Sequence, residues 1–147
     1  MSTAGYSGTP LPRKLGIRDG SRVLLVAAPE GFATVLGELP DGVELVAAGE
    51  RALDVVVVFV TELAALRAQF GALAAAIAPA GGLWIAWPKR ASGVATDVDE
   101  NRVREIGLEA GLVDNKVCAI DQTWSGLRFV RRLRDRPPRA GGRGVSG

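Results

Sequence analysis

The chain has 147 residues, 48% hydrophobic and 23% charged, a balance that lets one soluble globular domain bury a sizeable core. It contains no histidine, which removes imidazole as general base, proton shuttle or metal ligand and rules out Ser-His-Asp or Cys-His catalysis within the chain. The net charge is only +2, and residues 131–147, with six arginines against Asp135, hold more than that excess, so the basicity belongs to the C-terminal end.

Thr9-Pro10 opens a short helical turn able to lay Leu11, Leu15 and Ile17 on the body. RVLLVA (22–27) is continuously apolar, as a strand buried on both faces of a parallel sheet should be. Phe32, Val35, Leu36 and Leu39 then follow the spacing of one helix face, stopped by Pro40-Asp41-Gly42. VELVAA (43–48) and DVVVVFV (54–60) are predicted as the second and third strands. A helix follows with Thr61 as its N-cap and Leu63, Leu66, Phe70, Leu73 and Ile77 on its inner face, ending at Pro79-Ala80-Gly81-Gly82. LWIAW is the fourth strand. The next helix is predicted to begin near Thr96 or Asp97, with Asp99 and Glu100 in its acidic first turn, to bury Val103, Ile106 and Ala110, and to stop at Gly111. KVCAI (116–120) and LRFVRRL (127–133), joined by DQTWSG, read as an antiparallel hairpin.

Strands alternating with helices imply a mostly parallel sheet covered on both faces by right-handed crossovers. With its closing helix and hairpin, and with DVVVVFVTELAALRAQFGALAAAIAPAGGLWIAW in its middle, the pattern resembles the Rossmann-like fold of S-adenosylmethionine-dependent methyltransferases with one strand-helix unit missing. That resemblance implies six strands in the order 2-1-3-4-6-5, the last antiparallel, in a three-layer α/β domain over residues 1–133. Residues 134–147, rich in Arg, Gly and Pro without apolar period, form an expected disordered tail whose deletion should leave the thermal melt nearly unchanged.

In such a sheet ligands sit beyond the carboxyl ends of the strands, near the switch between strands 1 and 3. Three loops meet there, supplying Glu30 and Gly31, Thr61 and Glu62, and Trp87, Lys89, Arg90 and Ser92. Within GGLWIAWPKRASG, Pro88 is expected to halt pairing, so that Lys89 and Arg90 emerge where an anionic ligand would bind; the alternative is two solvated cations balanced by Glu30 or Glu62. Trp84 and Trp87, three apart on a strand, should face opposite sides of the sheet, with Trp87 placed to pack or to stack on a planar ligand. Trp124 falls in the hairpin turn. Cys118 cannot form an internal disulfide and reads as a small core residue; Lys116, on the same strand face, is what would favour a reactive thiolate. No metal site is expected.

The methyltransferase resemblance would imply an acidic-Gly-x-Gly-type turn after strand 1 and a ribose-binding acid at the end of strand 2. The turn here is AAPEGF, and Glu50 is the only acid near the second position; no phosphate loop of the G-x-x-x-x-G-K-[ST] or G-x-G-x-x-G type occurs. The fold inference therefore stands without its cofactor, and the cofactor is left unknown. GYSGTPLPRKLGI, LLVAAPEGF, LWIAWPKRASGVATD and LVDNKVCAIDQTWSGLRFV further resemble an actinobacterial family catalogued as domain-of-unknown-function family 3052, covering almost all of residues 5–132 and implying a compact cytoplasmic protein with no activity to carry over. MSTAGYSGTP lacks a charged segment followed by an apolar stretch, and no apolar run approaches the about 20 residues of a membrane span, which agrees with a cytoplasmic place and no membrane contact.

The expectation is thus a noncatalytic domain that binds a small anionic ligand or a protein partner at its strand carboxyl ends. The alternatives are a divergent S-adenosylmethionine-dependent methyltransferase and a protein making weak nucleic-acid contact through its arginine tail.

Overall fold

The structure is a computed structural model that describes residues 9–136. Its strands are β1 (Arg22–Val26), β2 (Glu44–Leu45), β3 (Leu53–Phe59), β4 (Ile77–Pro88), β5 (Leu112–Ala119) and β6 (Trp124–Arg131), in one sheet of order β2-β1-β3-β4-β6-β5. β2, β1, β3 and β4 run parallel, whereas β6 lies antiparallel to both β4 and β5. This is the expected topology, and its cause is visible in the chain: Val55, Val56, Val57 and Val58 of β3 are buried on both faces because helices cover both.

The helices are α1 (Leu11–Leu15), α2 (Phe32–Leu36), α3 (Leu63–Ala76) and α4 (Glu100–Glu109). One sheet face packs Val56, Val58, Leu83, Ile85, Trp87, Leu127 and Phe129 against α3 and α4 through Leu66, Phe70, Val103 and Ile106. The opposite face packs Val55, Val57, Phe59 and Trp84 against α1 and α2 through Leu15, Phe32 and Leu36, with Ile17 beside them. Trp84 and Trp87 thus lie on opposite faces, as strand alternation requires.

Several element ends differ from expectation. α3 stops at Ala76, and Ile77 opens β4 instead of facing inward from the helix. The Pro-Ala-Gly-Gly segment is a strand irregularity in which the β3–β4 register passes from Leu53↔Ile77 to Val55↔Gly82. Gly81 permits it, because a Cβ there would lie 2.5 Å from the Leu53 carbonyl oxygen. β2 is only two residues long. α2 ends at Gly37, leaving Val35 exposed, and Ala110 is exposed where burial was expected. Trp124 begins β6 instead of sitting in the turn, and its ring meets Phe59 edge-on at 5.1 Å. Beyond β6, Leu133–Asp135 form a 3-10 turn; the rest of the segment read as a tail, from residue 137, lies outside the described residues.

α4 crosses β6 at Gly107, where an added Cβ would fall inside contact distance of the Phe129 ring. That ring is fully buried and meets Phe70 edge-on at 5.6 Å, so it has little room to yield. Gly107→Ala should therefore cost about 2 kcal/mol by overpacking, despite alanine's better helix propensity. Phe129→Leu in the same chain should recover part of that loss. Urea unfolding of the single and double variants checks it, and additive effects would refute the close approach.

Candidate functional site

The parallel strands end together at Val26, Phe59 and Pro88, and the segments that follow them build the carboxyl edge. β4 keeps its antiparallel partner to the last residue, Pro88 facing Trp124, and one more bond follows as the Lys89 amide donates to the Thr123 carbonyl at 2.7 Å. The chain then makes a 3-10 turn over Arg90–Ser92, closed by Gly93 in the left-handed conformation (φ 79°). The Ser92 hydroxyl is spent within it, donating to the Lys89 carbonyl at 2.7 Å and accepting from the Val94 amide at 3.2 Å.

The segment beyond, residues 94–99, folds back over the start of α3 and encloses a cleft of about 730 Å³ against Leu63, Trp87 and Pro88. Its polar walls come from Arg90, Thr96, Asp97, Asp99 and Arg102. Thr96 Oγ1 donates to the Thr61 carbonyl at 2.6 Å, and Asp97 Oδ1 accepts from the Leu63 amide at 2.8 Å. Asp97 thereby caps α3 from a distant segment; the N-cap position itself is Glu62, whose side chain makes no capping bond. Asp99 caps α4, accepting from the Arg102 amide at 2.9 Å, with the Arg102 guanidinium 3.7 Å from its second oxygen. Both carboxylates are committed to helix ends, which leaves Arg90 as the cation of the cleft outside any ion pair among the described residues.

Of the residues singled out from sequence, Trp87 and Arg90 line this cleft, with Trp87 only 6% exposed at its floor. Thr61 does not line it; its carbonyl accepts from Thr96 of the cleft wall. Lys89 is half-buried and Ser92 supports the turn, neither lining the cleft. Glu62 is exposed at the N-cap of α3, while Glu30 and Gly31 stand exposed after β1, Gly31 taking the left-handed N-cap of α2 (φ 84°). Sequence reasoning assigned Thr96, Asp97 and Asp99 to the start of α4 and so missed the cleft's far wall. The signal available was the alternation of oxygen-bearing side chains in TDVDE, which is capping chemistry.

Two further features decide what the edge can hold. The turn after β1 places Ala27 in the left-handed region (φ 57°), where a Cβ costs about 1–2 kcal/mol and glycine is the residue of choice. Glu50 lies at the opposite edge of the sheet, its Oε1 2.7 Å from Nη2 of Arg22, the first residue of β1. Arg22 also donates to the Arg51 carbonyl. β2 pairs only with Arg22 and Val23, whereas β3 pairs along β1 up to Val26, so among the described residues no strand flanks the carboxyl half of β1 on that side.

The comparisons with solved structures decide the fold. A methyltransferase from Aquifex aeolicus, described as SAM-dependent, is similar over 80% of this chain and 85% of its own with TM-score 0.56 at 17% identity. The chain has a methyltransferase-like Rossmann fold. The same fold is shared with a TehB-like SAM-dependent methyltransferase from Corynebacterium glutamicum, at 12% identity over 88% of this chain and 91% of that one (TM-score 0.55). It is shared too with Aeropyrum pernix fibrillarin, determined with natively bound S-adenosyl-L-methionine, at 12% identity over 83% and 69% (TM-score 0.52). No family model matches the chain and no curated protein matches its sequence. Within this Rossmann fold no helix of the described residues is long and apolar enough to cross a membrane.

Cys118 is half-buried on the face shared with Trp124, and burial pushes its thiol above the ordinary value against the opposing pull of Lys14 and Lys116. Desolvation outweighs the two cations, so the neutral thiol is the favoured form at neutral pH.

Proposed function

We propose that this Rossmann-like domain is a noncatalytic, cytoplasmic binding protein that takes a small anionic ligand at the carboxyl edge of β4, with Arg90 supplying charge within the cleft, Lys89 adding charge from beside it, and Trp87 the apolar floor. The observation that carries the reading is Glu50. A cofactor held as in the resembled methyltransferases needs an acid beyond the end of the second strand to take its ribose, and the acid in question is ion-paired to Arg22 at the far edge. The residues present do not fit S-adenosylmethionine: the glycine turn after β1 is replaced by Ala27, Ala28 and Pro29, and β2 is too short to wall the carboxyl half of β1.

A second reading, a divergent methyltransferase, is favoured by the similar structures and by the cleft beside Trp87. One calorimetric titration separates the two. S-adenosylmethionine added to the purified chain should give no saturable heat at micromolar concentrations; saturation with micromolar affinity would overturn the argument from Glu50 and favour the second reading, which methyl transfer to an acceptor would then have to establish. The resemblance to domain-of-unknown-function family 3052 rests on the quoted motifs and carries over no activity to either reading.

A further inference from the structure

The ion pairs of the described residues join Arg22 to Glu44 and Glu50, Arg67 to Glu109, Arg102 to Asp99, and Arg104 to Glu100 and Asp114. None of these includes Lys14, Arg18, Lys116, Arg128 or Arg136. Arg18 and Arg136 act on Arg128, Arg128 faces Lys116 across the ladder, and Lys116 reaches Lys14 of α1, while Asp19 and Glu38 lie with Arg18 at the margin of the group. Lys116 and Arg128 are register partners on β5 and β6, so two like charges stand directly opposite each other across the ladder, an arrangement that destabilises a sheet. The half-buried Arg128 guanidinium lies over Gly82 of β4, where a Cβ would come within 2.7 Å of its Cζ, so the backbone itself makes room for it.

Among the described residues Arg128 is paired to no carboxylate. Its side-chain partner is the neutral Asn115, Nη1 to Oδ1 at 3.4 Å, and burial, then the like charges of Arg136 and Arg18, depress its basicity. Lys116 Nζ donates to the Lys14 carbonyl at 3.2 Å, bringing β5 and α1 together, and both lysines act on the Cys118 thiol. Arg136 is folded back onto β6, its Nε donating to the Arg131 carbonyl at 3.2 Å. Arg132, between them, has a buried Nε with no hydrogen-bond partner among the described residues.

We propose that this sheet face, centred on Arg128 and Lys116 with Lys14, Arg18 and Arg136 around them, binds the phosphate backbone of nucleic acid. It is distinct from the cleft at the carboxyl edge, since Arg128 sits opposite Trp84 while the cleft lies past Pro88. Mutual repulsion and a desolvated guanidinium are costs the fold tolerates, and a row of phosphates offsets both at once. The cations come from separate segments and their hydrogen bonds do not converge on one point, which suits repeating charges better than a single anion. The nearby indole of Trp84 is fully buried, so no stacking surface is offered there and binding should be indifferent to sequence.

The test is fluorescence anisotropy with a labelled 20-base-pair DNA duplex and the full chain over a range of salt concentrations. The wild type should bind two unrelated duplexes alike, with affinity falling steeply as salt rises. Arg128→Gln with Lys116→Gln should weaken binding about tenfold at low salt and flatten the log-log salt slope by about two. Arg67→Gln, an exposed arginine of α3 on the opposite side of the sheet, should leave it unchanged, and the Gln pair should weaken binding equally in a chain lacking residues 137–147. Lys116→Gln alone, at an exposed position, serves if the double variant does not fold, and should still flatten the slope by about one. No binding by the wild type, equal binding by the Gln variants, or complete loss on removing 137–147 would each overturn the proposal. So would inorganic triphosphate binding with the same sensitivity to the Gln pair while the duplex does not bind, which would make the face a small-anion site.

Discussion

Replacing Trp84 with alanine should destabilise the fold by about 4 kcal/mol, the range of a buried aromatic truncation that leaves a cavity. The side chain is 0% exposed in the central strand β4, between β3 and β6, and belongs to the core face covered by α1. Its Nε1 donates to the Leu15 carbonyl at 3.0 Å, across 69 residues of sequence, and Leu15 is the last residue of α1. The substitution therefore removes both the packing under α1 and the partner of a carbonyl near the helix end, which then pays for its own desolvation. Trp84→Phe should lose far less, about 1–2 kcal/mol, since most of the ring area stays. Equilibrium urea unfolding supplies both numbers. A loss below about 1 kcal/mol for the alanine variant would mean that α1 is not anchored through this indole.

Trp87→Ala should cost about 3 kcal/mol, because its indole is packed with Val98 and the α3 side of the core at the floor of the cleft. The neighbouring pair behaves differently. Lys89→Ala with Arg90→Ala should alter stability by less than about 1 kcal/mol, since Arg90 is exposed and the bonds that hold the turn come from the Lys89 backbone and the Ser92 side chain. The double variant should instead weaken a phosphate- or carboxylate-bearing ligand of the cleft several-fold, with added salt weakening the wild type in the same direction. Paired unfolding curves and a ligand titration check this. If the two cations prove essential to folding while Trp87 proves dispensable, the roles given to the loop are reversed and the anion site is lost.

The local chain determined a good deal by itself. A short, β-branched apolar run such as VVVVFV suits a strand covered on both faces, and helical spacing at Leu66, Phe70, Val103 and Ile106 fixes which sides face the sheet, so the layers and the opposite facing of Trp84 and Trp87 were legible from the residues, while the strand order came from the methyltransferase resemblance. Element ends were not, because there the competing partners are remote in sequence. Pro79-Ala80-Gly81-Gly82 looks like a helix stop, yet it is a strand irregularity pressed against the Leu53 carbonyl. Asp97 looks like the start of α4, yet its oxygen caps α3 at Leu63, 34 residues earlier in the chain. The cleft depends on that fold-back and so on tertiary structure alone. The same holds for charge. The arginines of residues 131–147 are countable in the sequence, but that Lys116 and Arg128 face each other across a ladder, with Arg18 and Arg136 near and no carboxylate paired to them among the described residues, follows only from strand register, which no local spacing encodes.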